Sequence, residues 1–314
     1  MKHFISVFLT ITLFSFLSCG KGAGDAEETD TTGLTIAVLP TYDCIPFYYA
    51  QQEGIFDSLG VNIRLVTYKS SMDADTAFVN GEVLGAVTDI VKAALWSANG
   101  DSLKVVMAMD PDLSLVTANA ARLFQASSIK ERIVAITRHS MLDFTTDKIL
   151  QSVKMVSTDL NKPQINDIVL RTRMNDQNQY DGALLPEPYT TDATRIYGGK
   201  LISSSRQLGL HYMATLVFTD SIVNRNREDI TKIIAGYQIA AEQLNRSRQY
   251  PLNYIPKDNT IEIPDSMFEY QEIAVPDLPS TTLFSDVNTW LIGRGLVKKA
   301  ASYSSVIDST FIRK

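Results

Sequence analysis

Residues 34–70 read LTIAVLPTYDCIPFYYAQQEGIFDSLGVNIRLVTYKS. The first six residues of this stretch are apolar or β-branched and are stopped by Pro40, which predicts a short buried strand. A helix is predicted next, because Pro46 stands near its start and Gly54 just past its end. Residues 61–67 then alternate between apolar and polar side chains, which predicts a second strand. The stretch is therefore predicted to form a β-α-β unit.

Strand and helix patterns go on alternating along the chain. Helices are predicted at about 46–53, 72–80 and 89–98, with strands at 83–87 and 103–109. A second block contains a helix capped by Ser140 and strands at 132–137, 154–157, 180–185, 200–202 and 214–218. Further helices are predicted from Glu228 to Leu244, where apolar residues recur with a 3.6 period, and at 286–292 and 306–311. This alternation predicts an α/β protein with a parallel sheet covered by helices.

Composition excludes several classes of protein. The chain has 314 residues, a formal net charge of −6, 45% hydrophobic and 20% charged residues, and two cysteines. It is too apolar to be disordered and has too few cysteines for a disulfide framework. The acidic balance, without a long Lys/Arg block, argues against a nucleic-acid partner.

The N-terminus carries an export pattern. Residues 1–3 form a short basic head, and 4–17 are an uncharged apolar run of signal-peptide length. This run ends at Ser18-Cys19, which resembles the bacterial lipobox, in which the cysteine is lipidated and becomes the mature N-terminus. We therefore predict a lipoprotein signal peptide at 1–18, lipid on Cys19 and a flexible tether at 19–33. An ordinary secretory signal with a chance cysteine is the alternative.

The chain lacks the familiar signatures of catalysis. It contains no Gly-rich phosphate loop, no G-x-S-x-G elbow and no metal-spaced Cys/His cluster. A Cys-His pair could use only Cys44 with His139 or His211, since His3 leaves with the signal peptide. The sequence predicts no enzyme, no cofactor and no metal.

Four segments carry a resemblance to a known family. They are the opening stretch at 34–70, Asn80-Gly81 with 85–89, Asp181-Gly182-Ala183 followed by Glu187-Pro188-Tyr189, and Trp290-Leu291 with Gly295-Leu296. In their order and spacing they resemble the substrate-binding proteins of the nitrate/sulfonate/taurine and thiamine-pyrimidine-precursor uptake systems. These are periplasmic-binding-protein type II components of ABC transporters.

The resemblance implies a two-lobed fold with a ligand cleft between the lobes. Lobe I would comprise 34–118 and 212–314, and lobe II 119–211. The lobes would close on the ligand about a hinge near 114–119 and 213–218, and the closed form would dock on a permease with its ATPase. Such a protein would be a monomer outside the cytoplasm, held to the membrane by lipid on Cys19. The alternatives are an enzyme on the same fold and a lipoprotein that only senses or scaffolds.

Candidate ligand contacts follow from the position of the strands, because ligands of open α/β sheets bind beyond the strands' carboxyl ends. The candidates are Tyr42, Asp43, Phe47, Thr88, Asp89, Arg138, His139, Ser140 and Glu187. Ser140 and Asp43 could equally be helix caps, Glu187 could only fix a turn, and His139 could be a solvated loop residue.

Two ligand classes compete. Arg138, His139 and two helix starts suit a small anion such as a sulfonate or nitrate. The three acids Asp43, Asp89 and Glu187, with aromatic residues nearby, suit a thiamine-pyrimidine-like heterocycle that bears amino groups. Three acids would repel a sulfonate, so the sequence slightly favours the heterocycle.

Overall fold

The computed structural model describes residues 33–312. The predicted signal peptide, Cys19 and all of the tether except Gly33 lie outside the described residues. In this described part, no helix combines the length and the apolar character that crossing a membrane requires.

The first of two sheets has five strands. They are β1 Leu34–Val38, β2 Ile63–Thr67, β3 Gly85–Asp89, β4 Leu103–Met109 and β9 Ala214–Thr219, in the spatial order β2-β1-β3-β9-β4. Strand β1 is parallel to β2 and β3, whereas β9 lies between β3 and β4 and is antiparallel to both. The predicted parallel sheet is therefore wrong for β9. A strand pattern in sequence reports burial, and it does not report the direction in which the chain returns to the sheet.

The second sheet has four strands. They are β5 Ser114–Thr117, β6 Val134–Ala135, β7 Gly182–Leu185 and β8 Lys200–Ser204, in the order β6-β7-β5-β8. Strand β5 pairs antiparallel with β7 and β8, and only β6 and β7 are parallel. Residues 114–117, which the sequence assigned to lobe I, thus belong to the second sheet. We call residues 33–109 and 214–312 the first lobe, and 114–204 the second lobe.

Eleven helices of the described chain surround the sheets. They are α1 Ile45–Gln52, α2 Ile55–Ser58, α3 Ser71–Val79, α4 Ile90–Ala98, α5 Met141–Ser152, α6 Ile168–Asp176, α7 Tyr189–Thr191, α8 Asp220–Arg225, α9 Arg227–Ser247, α10 Thr281–Gly293 and α11 Tyr303–Val306. Helix α7 continues into a π-helical turn at Asp192–Ile196. The predictions for α1, α3, α4, α5 and α9 are confirmed.

Two predictions for secondary structure are wrong, and one helix was missed. Residues 154–157 are not a strand, because Lys154 is left-handed, with φ 61°, as it ends α5, and Val156 is 61% exposed. The last helix ends at Val306, since Ile307 pairs instead with Val105 at the edge of β4. Helix α6 was not predicted, because its buried face carries Arg171 and other polar side chains rather than an apolar stripe.

Helix packing on the first sheet is dense. Helix α9 buries an apolar face against α1, where the rings of Phe47 and Tyr237 meet edge to face at 5.0 Å. Helix α9 also packs closely on α2 at Gly236, since a Cβ atom there would lie 2.6 Å from the ring of Phe56. Burying such aromatic side chains stabilises the lobe by about 2–3 kcal/mol each.

Two short segments connect the lobes, at 110–113 and 205–213. They run side by side: Asp110 Oδ1 accepts from the amide of Tyr212 at 2.9 Å, and Ser205 Oγ accepts from the amide of Leu113 at 2.9 Å. The residues predicted to form the hinge, 114–119 and 213–218, lie largely in strands β5 and β9, so the first crossing precedes the predicted boundary.

Candidate functional site

A small cavity lies between the two lobes, beyond the carboxyl ends of β1, β3, β6 and β7. Its volume is about 40 Å³. Its polar lining comes from both lobes: Thr41, Asp43, Lys69, Ser71, Thr88 and Asp89 in the first, and Thr137, Asn166 and Arg171 in the second. Backbone hydrogen bonds join the lobes beside it, from Ile168 to Lys69 and from Tyr42 to Glu187, both 2.9 Å long. The cavity thus lies at the edge of the sheets where open α/β proteins bind their ligands.

The end of β1 contributes Thr41 and Asp43. Both residues are buried, at 4% and 8% exposure. The Asp43 carboxylate makes no ion pair within residues 33–312, and burial raises its pKa to about 6. The Thr41 hydroxyl lies beside it without forming a hydrogen bond of good geometry. Asp43 is therefore a buried carboxyl group without an ion-pair partner in the described chain.

The end of β3 contributes Thr88 and Asp89. Asp89 caps α4 by accepting from the amide of Lys92 at 2.9 Å; burial raises the pKa of its carboxyl, and the helix N-terminus opposes that rise. The Thr88 hydroxyl donates to Asp75 Oδ1 at 2.6 Å. Asp75 is itself buried on α3, and Lys92 Nζ lies 3.9 Å from its other oxygen. Thr88 is thus oriented by a buried acid that lies behind the cavity wall.

The second lobe contributes a buried arginine. Arg171, on α6, is 2% exposed. Its Nη1 donates to Ile165 O at 2.7 Å and to Thr137 Oγ1 at 3.1 Å, whereas its Nε has no partner and no carboxylate pairs with it in the described chain. Burial lowers the pKa of the guanidinium to about 10, so it stays charged at neutral pH. An unpaired buried cation is costly, and an anionic ligand would compensate it.

Tyr42 and Glu187 lie outside this cavity, on the hinge side. The Tyr42 hydroxyl donates to Gln271 O at 2.6 Å. The Glu187 carboxylate accepts from Gln271 Nε2 at 3.0 Å and from the amide of Thr191 at 3.1 Å. Both side chains thus have structural partners outside the cavity. Of the three acids predicted to contact the ligand, Glu187 is the one that does not line it.

The other predicted contacts also lie elsewhere. Phe47 is fully buried in the core of the first lobe. Ser140 is a helix cap, accepting from the amide of Leu142 at 3.1 Å. Arg138 is exposed and donates to Lys162 O, and His139 is a left-handed residue whose amide donates to Asp143 Oδ2 at 3.1 Å. Of the nine predicted residues, the structure brings Asp43, Thr88 and Asp89 to the cavity.

Sequence reasoning missed Arg171, Thr137 and Thr41. Thr41 and Thr137 each follow a predicted strand closely, so the same positional rule could have included them. Arg171 carried no such signal, because it lies within a helix that was itself not predicted. The cap Asp167, which accepts from the amide of Leu170 at 2.9 Å, was the one local hint of that helix.

Solved structures share this architecture. The alkanesulfonate-binding protein SsuA of Xanthomonas axonopodis, bound to MOPS, superposes with a TM-score of 0.75 at 13% identity, covering 88% of this chain and 98% of that one. The nitrate-binding protein NrtA of Synechocystis gives a TM-score of 0.72 at 10% identity, covering 90% and 87%. At such identities these likenesses establish the fold alone, and they confirm the predicted two-lobed architecture.

Sequence comparisons agree. A Brachyspira hyodysenteriae protein named as an ABC transporter periplasmic binding protein is 20% identical over 283 residues, covering 83% of this chain and 80% of the relative. The profile of the NMT1-like family matches residues 27–250. The chain therefore belongs to the NMT1-like family and has the two-lobed, type II periplasmic-binding-protein fold.

Proposed function

We propose that this protein is the monomeric solute-binding component of an ABC importer, acting outside the cytoplasm, and that its solute carries an anionic group. The observation that carries the proposal is Arg171, a buried guanidinium without a carboxylate partner in the described chain, at a cavity between two lobes. The names of relatives add support, since the Brachyspira protein is called an ABC transporter binding protein and SsuA and NrtA are called binders of sulfonate and nitrate.

The cavity favours an anion over a thiamine-pyrimidine-like heterocycle. The aromatic residues that suggested stacking, Tyr42 and Phe47, do not line it, and neither does Glu187. A cavity that binds benzene has a volume of about 150 Å³, whereas this one measures about 40 Å³. A ring would enter only if the lobes moved apart, while a compact anion needs less space.

Capture would occur by lobe closure. The two crossing segments at 110–113 and 205–213 are short and run together, which suits a hinge. A ligand held by residues of both lobes favours the conformation in which the lobes meet. That conformation would be the one that docks on the permease.

Lipid on Cys19 would hold the protein near its permease. A tether of about 15 residues would keep the folded body close to the membrane and so raise its effective concentration there. Stable attachment needs two or more acyl chains. Cys19→Ala should release the protein from the membrane fraction, and an unchanged distribution would contradict the anchor.

Native mass spectrometry of the full chain, extracted in mild detergent, tests the binding function. We expect a stoichiometric small-molecule adduct that is lost in Arg171→Gln. Thermal shift with nitrate, ethanesulfonate and an aminopyrimidine would then separate the ligand classes. No adduct and no stabilisation by any of the three would favour a sensor or scaffold over a binding protein.

A further inference from the structure

A buried acid lies directly behind the first-lobe wall of the cavity. Asp75, on α3, is 5% exposed and does not line the cavity itself. Its Oδ1 accepts a hydrogen bond of 2.6 Å from the hydroxyl of Thr88, which does line the cavity. Its Oδ2 has no hydrogen-bond partner in the described chain, and Lys92 Nζ lies 3.9 Å from it. Asp75 can therefore act on a solute through Thr88.

The charge of Asp75 decides what Thr88 offers to a solute. A hydroxyl group has one proton to donate and two lone pairs to accept with, whereas an ionised carboxylate only accepts. While Asp75 is ionised, the Thr88 proton is therefore committed to it, and Thr88 presents only lone pairs to the cavity. An anionic solute gains no hydrogen bond from lone pairs.

A proton on Asp75 reverses this hydrogen bond. The proton belongs on Oδ1, because Oδ2 is the oxygen beside the Lys92 ammonium group. Oδ1 then donates to Thr88 Oγ1, and the hydroxyl proton of Thr88 is free for the solute. Burial raises the pKa of Asp75 to about 7, so both charge states are populated near neutral pH.

We infer that Asp75 is a positioning residue that, by gaining a proton, turns Thr88 into a donor and so makes this protein bind an anionic solute more tightly as the pH falls. The inference rests on the proposed function and couples its solute to a proton. A hydrogen bond to a charged acceptor is stronger than one between neutral groups, so we expect the two states to differ about tenfold in affinity.

Other charged groups lie near Asp75 and in the cavity. Asp89 on β3 favours the protonated form of Asp75, and Lys92 on α4 favours the ionised form. Asp89 and Asp43 also line the cavity, where a proton on either would remove a negative charge and favour an anion too. What distinguishes Asp75 is that its effect passes through the hydroxyl of Thr88.

Calorimetry on the full chain tests the inference with nitrate and ethanesulfonate. Both probes keep their single negative charge across the range used. The affinity of the wild type should rise between pH 8 and pH 6.5, by roughly fourfold, because most of the Asp75 carboxyl gains its proton over this range.

Three substitutions separate the contributions. Asp75→Asn should bind more tightly than the wild type at pH 8 and lose most of the rise, because its amide N–H faces Thr88 when its carbonyl faces Lys92. Thr88→Val should also lose most of the rise, but it should stay at the weaker affinity. Thr88→Ser keeps the hydroxyl and should keep the rise. The control is Asp73→Asn, which changes an exposed acid of the same helix and should behave as the wild type.

The outcomes distinguish this inference from the proposed function. Equal affinities at both pH values, or a rise that persists in full in Asp75→Asn, overturn the inference, and the second result assigns the proton to Asp43 or Asp89. A rise that persists in Thr88→Val overturns the positioning role. All three leave an anion-binding protein.

No binding of either probe at any pH, together with no small-molecule adduct on the protein from cells, overturns the proposed function itself. Thermal unfolding of each variant identifies those that lose binding because they do not fold. If Asp75→Asn is one of them, the comparison of Thr88→Val with Thr88→Ser decides.

Discussion

Arg171 Nη1 donates to the hydroxyl of Thr137 at 3.1 Å, and this contact links α6 to the chain that follows β6 on the cavity wall. A long guanidinium side chain has several rotamers, and fixing one of them costs conformational entropy before any ligand arrives. The contact with Thr137, together with that to Ile165 O at 2.7 Å, holds the group in place in advance. Preorganisation of this kind improves affinity without adding a ligand contact.

Thr137→Val should weaken binding of an anionic solute, because it removes this acceptor while keeping the shape of the side chain. We expect a loss of roughly fivefold to tenfold in affinity and about 1 kcal/mol in the free energy of unfolding. Thr172→Val is the control, since that buried hydroxyl donates to Ile168 O within its own helix. Calorimetry and urea unfolding measure the two quantities, and equal affinities of both variants would contradict the positioning role.

Asp75 should make stability depend on pH. Burial raises its pKa to about 7, against the opposing effects of Lys92 and Thr88, and Asp89 raises it further. Because this folded-state pKa lies above the unfolded value, the contribution of Asp75 is fully present below about pH 4 and is lost as pH rises through 7. Asp75→Asn should therefore reduce the decline in unfolding free energy between pH 5 and 8, by up to about 3 kcal/mol.

The exposed acid Asp73 lies on the same helix and provides the control for that experiment. Asp73→Asn should leave the pH profile of the unfolding free energy as it is in the wild type. If Asp75→Asn and Asp73→Asn gave the same profile, the Asp75 carboxyl would not titrate in this range.

Asp147 should be important for stability, because it connects α5 to α10. Its carboxylate accepts from Trp290 Nε1 at 2.8 Å, from Lys162 Nζ at 2.7 Å and from Arg294 at 3.3 Å. Asp147→Ala leaves Trp290 Nε1 without its acceptor, whereas Lys162 and Arg294 keep Asp143 as a partner, and it should cost about 2–3 kcal/mol in urea unfolding. Asp286→Ala removes the half-exposed partner of Lys148 and should cost less than about 1 kcal/mol. Similar costs for both would contradict the buried network.

Substitutions at Phe47 test whether this ring packs in the core or stacks on the ligand. The structure places it against Tyr237 in the core, so Phe47→Ala should cost about 3–5 kcal/mol of unfolding free energy. Phe47→Leu keeps most of the volume, and the folded variant should bind the solute as the wild type does. A large loss of affinity in Phe47→Leu, with stability retained, would instead favour stacking on the ligand.

Local sequence patterns were sufficient to predict most of the helices and strands of the first lobe. Pro46 in the first turn of α1 and Gly54 just after its end marked the helix correctly, and the 3.6 period of α9 indicated an amphipathic helix. These features are set by neighbours within one or two turns of chain. Asp43, Thr88 and Asp89 could be chosen as site residues for a related reason, since each follows closely on a strand whose end was predicted.

The sequence by itself determined the alternation of strands and helices, the two-lobed class and the edge of the sheets at which a ligand would lie. Only the tertiary structure decided that β9 runs antiparallel, that β5 belongs to the second sheet, and that Arg171 rather than Arg138 reaches the cavity. Strand direction and partner choice depend on residues distant along the chain. A buried arginine looks the same in sequence as an exposed one, because its burial comes from the packing of the second lobe around α6 and not from its neighbours in the chain.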